Sequence, residues 1–239
     1  MSLSEIHQLT RLARESPRDP TRTNALNKAA TVALCSAIEG YIEGVFDEGW
    51  DFLHATGIAV ERLPDELRAR IFLDRVEGIL ESRRRFAKLN SRIRKFFERE
   101  GHLWQAGTPF DALKSGVEEF SGQFQNSLPK GIVRLFRLYG ISDIFIEIQR
   151  ETGHSLRADT LVPTMKELVE KRNGIAHGDA TVIPTALDVT RYFNAGRVTC
   201  RHIDVAAGIQ LEELTGQFPW HGPFIASQVE AVVRFPDWL

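Results

Sequence analysis

The stretch Lys171-Arg172-Asn173-Gly174-Ile175-Ala176-His177-Gly178 sets an arginine, an amide and a histidine at the end of a helical pattern. Residues 164–176 carry apolar side chains at Met165, Leu168, Val169, Ile175 and Ala176, the spacing of one helical face. Pro163 fits the first helical position, and Gly178 fits the position just past the end. At about 100° per residue, Arg172 falls within the stripe of Met165, Val169 and Ala176. A cation in an apolar stripe needs a carboxylate, a phosphate or a cavity open to water. Asn173 and His177 are four residues apart and share a face at the edge of that stripe. An arginine can neutralise a phosphate, an amide can orient it, and a histidine can move protons near neutral pH.

Working outward, the chain reads as helices joined by polar or glycine-rich connections. Residues 3–15 suit a short helix stopped by Pro17 and Pro20. Thr23 or Asn24 can cap a long helix over residues 25–53. That helix is apolar almost all round. Leu26, Ala30, Ala33, Leu34, Ala37 and Tyr41 lie on one side, and Val32, Cys35, Ile42 and Phe46 on the other. Such a helix belongs in a core or a dimer interface. Pro64 starts a helix over residues 65–80, continued by a basic segment over 82–100. Residues 101–130 read as loop with short helical pieces, 131–148 as one helix and 149–162 as a polar connection. Thr185 can cap a last helix from 186 to about 216, with Leu187, Tyr192, Phe193 and Ile203 inward. The expectation is an all-α bundle with an inserted basic helix and irregular termini. It is one domain over 1–239, with its core at about 25–215 and an appendage at 217–239.

Two further features bear on chemistry. Glu39 sits among Val32, Cys35, Ile42 and Phe46 at helical spacing. Either it pairs with Arg172 across a helix interface or it faces water. The basic segment holds Arg83, Arg84, Arg92 and Lys95 among other cations, with an apolar stripe of Phe86, Leu89, Ile93, Phe96 and Phe97. It is either a groove wall for RNA phosphates or a solvated helix face.

These segments carry a resemblance. Arg172-Asn173-Gly174-Ile175-Ala176-His177 resembles the Arg-x4–6-His signature of the HEPN superfamily, with a polar residue after the arginine. Residues 29–46, AATVALCSAIEGYIEGVF, are similar to the first long helix of the RiboL-PSP-HEPN branch, with Glu39 and Tyr41 as its acid and aromatic. Residues 131–146, GIVRLFRLYGISDIFI, resemble the helix before the motif in that branch. The resemblance implies a HEPN-like helical bundle and a metal-independent endoribonuclease with Arg172, Asn173 and His177 as catalytic residues. It also implies a homodimer in which two motifs share one cleft, and a toxin or antiviral-defence role with an antitoxin or defence partner left open. The alternative is a non-catalytic module of the same fold that binds RNA, a nucleotide or a protein. Control by nucleotidylation of a tyrosine just after the motif does not fit, because Gly178 and Asp179 follow His177.

Composition sets the remaining bounds. The formal net charge of −2 gives no global attraction to RNA, so any binding surface is a local patch. Cys35 and Cys200 are too few for a disulfide framework and favour reduced thiols in the cytoplasm. Cys35 reads as buried and inert rather than as a nucleophile. The seven histidines show no pairs at metal-binding spacing, and there is no Cys-x-x-Cys, Walker loop or dinucleotide fingerprint. No metal or cofactor is expected. No apolar run reads as long enough to cross a membrane, and the first residues lack a signal-peptide apolar core.

Overall fold

A computed structural model describes residues 3–80, 86–101, 105–110, 128–151 and 158–219. The described helices run in the order α1 (Leu3–Glu15), α2 (Pro20–Thr56), α3 (Asp65–Leu80), α4 (Phe86–Glu100), α5 (Leu128–Arg137), α6 (Ile144–Glu151), α7 (Ala158–Ala176) and α8 (Ala186–Thr215). The fold is all-α, as expected. An antiparallel bridge, Ala59 to Pro109, joins the segment after α2 to the described residues before α5. It seats Phe110, stacked on His54 and edge-on to Trp50, in the core.

The bundle is organised around α2. Its buried side includes Leu34, Ile38, Ile42, Phe46 and Leu53, and α1, α5, α7 and α8 all pack against it. The apolar faces that suggested a dimer interface therefore have partners within the chain. Contacts fix the directions. Ile38 meets Gly196, Tyr41 meets Asp204 and Gly49 meets Leu211, so α8 runs parallel to α2. Glu39 meets Arg172, and Lys28 lies close enough to Asp179 to perturb it, so α7 runs antiparallel to α2. By length and composition α2 is apolar enough to cross a membrane, contrary to the sequence reading. The contacts above account for that apolar character through packing.

Several boundaries differ from expectation for identifiable reasons. The long helix starts at Pro20, not Ala25. Asp19 is its cap, accepting the Arg22 backbone N–H at 3.0 Å, with Pro20 in the first turn. Thr23 instead ties the helix to the preceding turn through the Ser16 carbonyl at 2.7 Å. α1 contributes Ile6 and Ala13 to the core, which therefore reaches ahead of residue 25. The helix expected over 131–148 is two. Gly140 takes a left-handed φ of +91° and closes α5, with its N–H on the Arg137 carbonyl and the Ile141 N–H on that of Phe136. Asp143 then caps α6 by accepting the Phe145 N–H at 3.0 Å. α7 begins at Ala158, so Pro163 lies inside it. Buried Leu161 extends the apolar face of Met165 and Leu168 one turn earlier.

α8 begins as predicted. Thr185 and Asp188 form a reciprocal capping box. Leu187 is not inward, however: it is 77 % exposed. It stands about 200° around the helix from buried Val189, on the opposite face. The expected appendage at 217–239 lies outside the described residues beyond Pro219, as do Arg83 and Arg84 and most of the expected loop at 101–130.

Candidate functional site at the end of α7

α7 closes the way its sequence dictates. The Gly178 N–H bonds to the Ile175 carbonyl at 3.1 Å, and the Asp179 N–H to that of Gly174 at 2.9 Å. Gly178 sits at φ +76°, the left-handed position that favours glycine. His177 is the last residue before that turn and is exposed. The loop to α8 then folds back over Gly174, where an added Cβ would stand 2.6 Å from the Val182 Cγ2 atom. The glycine is what lets the loop lie against the helix end beside the motif.

One turn earlier, Arg172 crosses to α2. Its Nη2 donates to the Glu39 Oε1 at 2.6 Å, and its Nη1 donates to the Asn173 Oδ1 at 3.1 Å. The arginine and glutamate side chains are 23 % and 18 % exposed. The pair thus lies at the rim of the core, shielded yet reachable from solvent. Of the two readings of Glu39, the structure selects the one paired with Arg172. Cys35, one turn before Glu39, completes the cluster, its Sγ 3.7 Å from the same carboxylate oxygen. Burial, reinforced by the Glu39 charge, pushes the Cys35 thiol up to about 11. It is a buried, protonated S–H donor, which agrees with its reading as an inert thiol. Burial opposes the charge on Arg172, but its contacts with Cys35 and Glu39 outweigh that and raise its pKa above the ordinary arginine value.

The arrangement leaves donors to spare. Arg172 has four terminal N–H bonds. With Glu39, Asn173 and the Cys35 sulfur served, at least one is left for a phosphoryl oxygen. Because the Asn173 oxygen faces the guanidinium, its amide NH2 is the end left to donate. Beyond Glu39, the carboxylates of Glu43, Asp47 and Asp51 recur every fourth residue along α2. Burial and then the neighbouring carboxylates raise Glu43 and Asp47 above the usual carboxylate range. That face repels a phosphate backbone and marks where RNA would not run.

A family model described as RiboL-PSP-HEPN matches residues 2–207, a span that includes Glu39 and the whole 172–177 motif. The chain belongs to the RiboL-PSP-HEPN family. That membership makes it a module of a nuclease- and RNA-related kind. No curated protein and no solved structure matches it.

The remaining predicted site residues of this RiboL-PSP-HEPN chain lie elsewhere. Arg92 and Lys95 are exposed on α4, which packs on α3 through the edge-on pair Phe72–Phe96. α3 is rooted at the far end of α2. Arg62, just before it, donates to the Glu213 carbonyl near the end of α8. Glu39 and Thr56 are 17 residues apart on α2, or about 25 Å. The root of the basic hairpin and the motif thus occupy opposite ends of the bundle. The sequence reading sets Cys35 aside as buried and inert and does not place it against the Glu39–Arg172 pair, where the structure puts it. Its position four residues before Glu39 was the available signal.

Proposed function

We propose that this chain is a metal-independent endoribonuclease. The 2′-oxygen of RNA forms a bond to the adjacent phosphorus while the bond from phosphorus to the 5′-oxygen breaks. The products are a 2′,3′-cyclic phosphate and a 5′-hydroxyl. One proton leaves the 2′-hydroxyl and one reaches the 5′-oxygen. His177 performs one transfer as general base or acid. Arg172 stabilises charge on the phosphoryl oxygens, and the Asn173 amide orients the phosphate. Glu39 holds the guanidinium in place. A second histidine comes from the partner's His177 in a homodimer, since a two-fold axis near the end of α7 repeats the motif. The reading extends to a cytoplasmic toxin or antiviral-defence effector, by analogy with the family.

The observation that carries this reading is the pinned but part-exposed Arg172 in the last turns of the helix that ends at an exposed His177. A motif sealed in the core would have favoured a purely structural module. Purified protein incubated with mixed RNAs in excess chelator should yield fragments ending in 2′,3′-cyclic phosphate, and His177→Ala should not. Cleavage that needs added metal, or that persists in His177→Ala, overturns the assignment.

A further inference from the structure

α5 turns a row of cations outward. Leu128, Ile132, Leu135 and Phe136 are buried, while Lys130, Arg134 and Arg137 are exposed at i, i+4 and i+7. These three line an open cleft of about 400 Å³ between α5, α6 and α7. Val133, Phe145 and Val162 supply its apolar wall. Asp143 also borders it, but that carboxylate is engaged in capping α6. The lining carries three cations against one carboxylate. Arg137 is held over the turn by its Nε on the Ser142 carbonyl at 2.9 Å. Lys130 and Arg134 have no hydrogen-bond or ion-pair partner among the described residues.

Length and position identify the ligand class. Lys130 to Arg137 spans about 10 Å of helix, too long for one phosphate and suited to consecutive ones. Apolar side chains beside the cations suit the faces of bases and sugars in a single strand. The cleft also shares α7 with the motif, because Val162 precedes Arg172 by ten residues, or about 15 Å. From these observations we infer that the α5–α7 cleft is a second RNA-contact site. It grips the phosphodiester backbone of a single strand a few nucleotides from the bond cut at the motif. This rests on the endoribonuclease reading for what happens at His177, but not for whether the cleft binds.

The test uses the full chain and the variant Lys130→Gln/Arg134→Gln, leaving Arg137 to hold its turn. Binding of a fully 2′-O-methylated single strand of about a dozen nucleotides, which cannot be cut, is followed by fluorescence anisotropy across a salt series. The variant should bind about tenfold more weakly at low salt. Its slope of log affinity against log salt should be shallower by about 1.4, the share of two phosphate contacts. Cleavage of a dinucleotide, too short to reach the cleft, should be unchanged. An unchanged slope, or no binding by the unsubstituted protein, overturns the cleft while cleavage at His177 stands or falls separately. Displacement of the strand by inorganic phosphate or by polyglutamate, at equal phosphate or carboxylate concentration, overturns the strand reading in favour of a small-anion or acidic-protein site. A protein that shows the predicted slope change yet cuts no RNA supports the cleft and rejects the endoribonuclease.

Discussion

Two carboxylate contacts made within two residues of each other on α2 work in opposite ways. Glu39 of α2 meets the guanidinium of Arg172 on α7, at the rim of the core and next to the motif. Asp204 of α8 accepts the hydroxyl of Tyr41, two residues along α2 from Glu39. Arg172 is a permanent cation, so its pair keeps a donor-rich group charged and aimed. The Tyr41–Asp204 contact offers no opposite charge. Burial, only partly offset by the Tyr41 hydroxyl, pushes Asp204 up to about 6. Burial and the nearby Asp204 in turn push the Tyr41 hydroxyl far above the ordinary tyrosine range. A polar contact that fastens two helices tolerates protonation, whereas one that prepares a group for phosphate chemistry needs a fixed charge.

Activity should separate the two contacts most sharply. His177→Ala is expected to lower cleavage by about 10²–10⁴-fold, the usual worth of a positioned acid or base. Arg172→Ala should lose activity to a similar degree, whereas Asp204→Asn should stay within a few-fold of the parent. Single-turnover cleavage of one defined RNA measures all three. Loss of activity in a folded Asp204→Asn protein would erase the distinction.

Stability should separate them next. Arg172→Ala leaves Glu39 shielded without its cation and should cost about 2 kcal/mol, below the cost of breaking a fully buried pair. Adding Glu39→Ala should recover about half of that loss without restoring cleavage. Urea unfolding of the four proteins gives the coupling. Strict additivity would mean the pair does not hold the guanidinium. For Asp204 the sign follows from a folded pKa raised to about 6 above an ordinary 3.8. Its contribution is fully present below the unfolded value and is lost as pH rises from about 4 through 6. The change is about 3 kcal/mol. Asp204→Asn should flatten that window and be the more stable form, relative to the parent, at neutral pH. An identical pH profile in the variant would show that the site is better solvated than its burial implies.

How much of this was legible follows from which rules each segment breaks. Arg172 stood out because a cation interrupts an apolar stripe, and Gly178 because a glycine ends one. Both readings agree with the geometry at the end of α7. Glu39 could be placed only as one of two options, because helix rotation is set by packing rather than by the segment itself. Pro20 was read as stopping α1 when it opens α2, since a proline serves both ends and only the Asp19 cap decides. The break at Gly140 was hidden because apolar residues continue on both sides of it. The cations of α5 obey the amphipathic rule, and residues that obey a rule attract no notice. Only the cleft they line gives them a candidate role.

The loop beside the motif offers a smaller effect with a change of sign. Gly174→Ala places a methyl 2.6 Å from the Val182 Cγ2 atom and should destabilise by about 1–2 kcal/mol. In a Val182→Ala background the same substitution should stabilise by up to about 1 kcal/mol, because alanine suits a helix better than glycine. Thermal unfolding of the two pairs checks this. The same sign in both backgrounds would mean that Val182 does not set the space over Gly174.

The smallest effect should come from α4, where the charges are exposed. Arg92 and Lys95 lie on a hairpin rooted at the end of the bundle away from the motif. Phe97, on the same helix, is 67 % exposed. Exposed cations reach a phosphate backbone largely through the ionic atmosphere, so salt screens them readily. Arg92→Glu/Lys95→Glu is therefore expected to weaken binding of a long RNA about three- to tenfold at low salt, with a shallower salt dependence. The single-turnover rate at saturating RNA should not change, because neither residue reaches the reacting phosphate from a hairpin rooted about 25 Å away along α2. Filter binding at several salt concentrations, together with that rate, is the measurement. A lowered rate would bring α4 into the catalytic cleft, either by folding over the motif or across a dimer interface. Unchanged affinity and slope would return the basic segment to a solvated face and leave the α5–α7 cleft as the only candidate RNA grip outside the motif among the described residues.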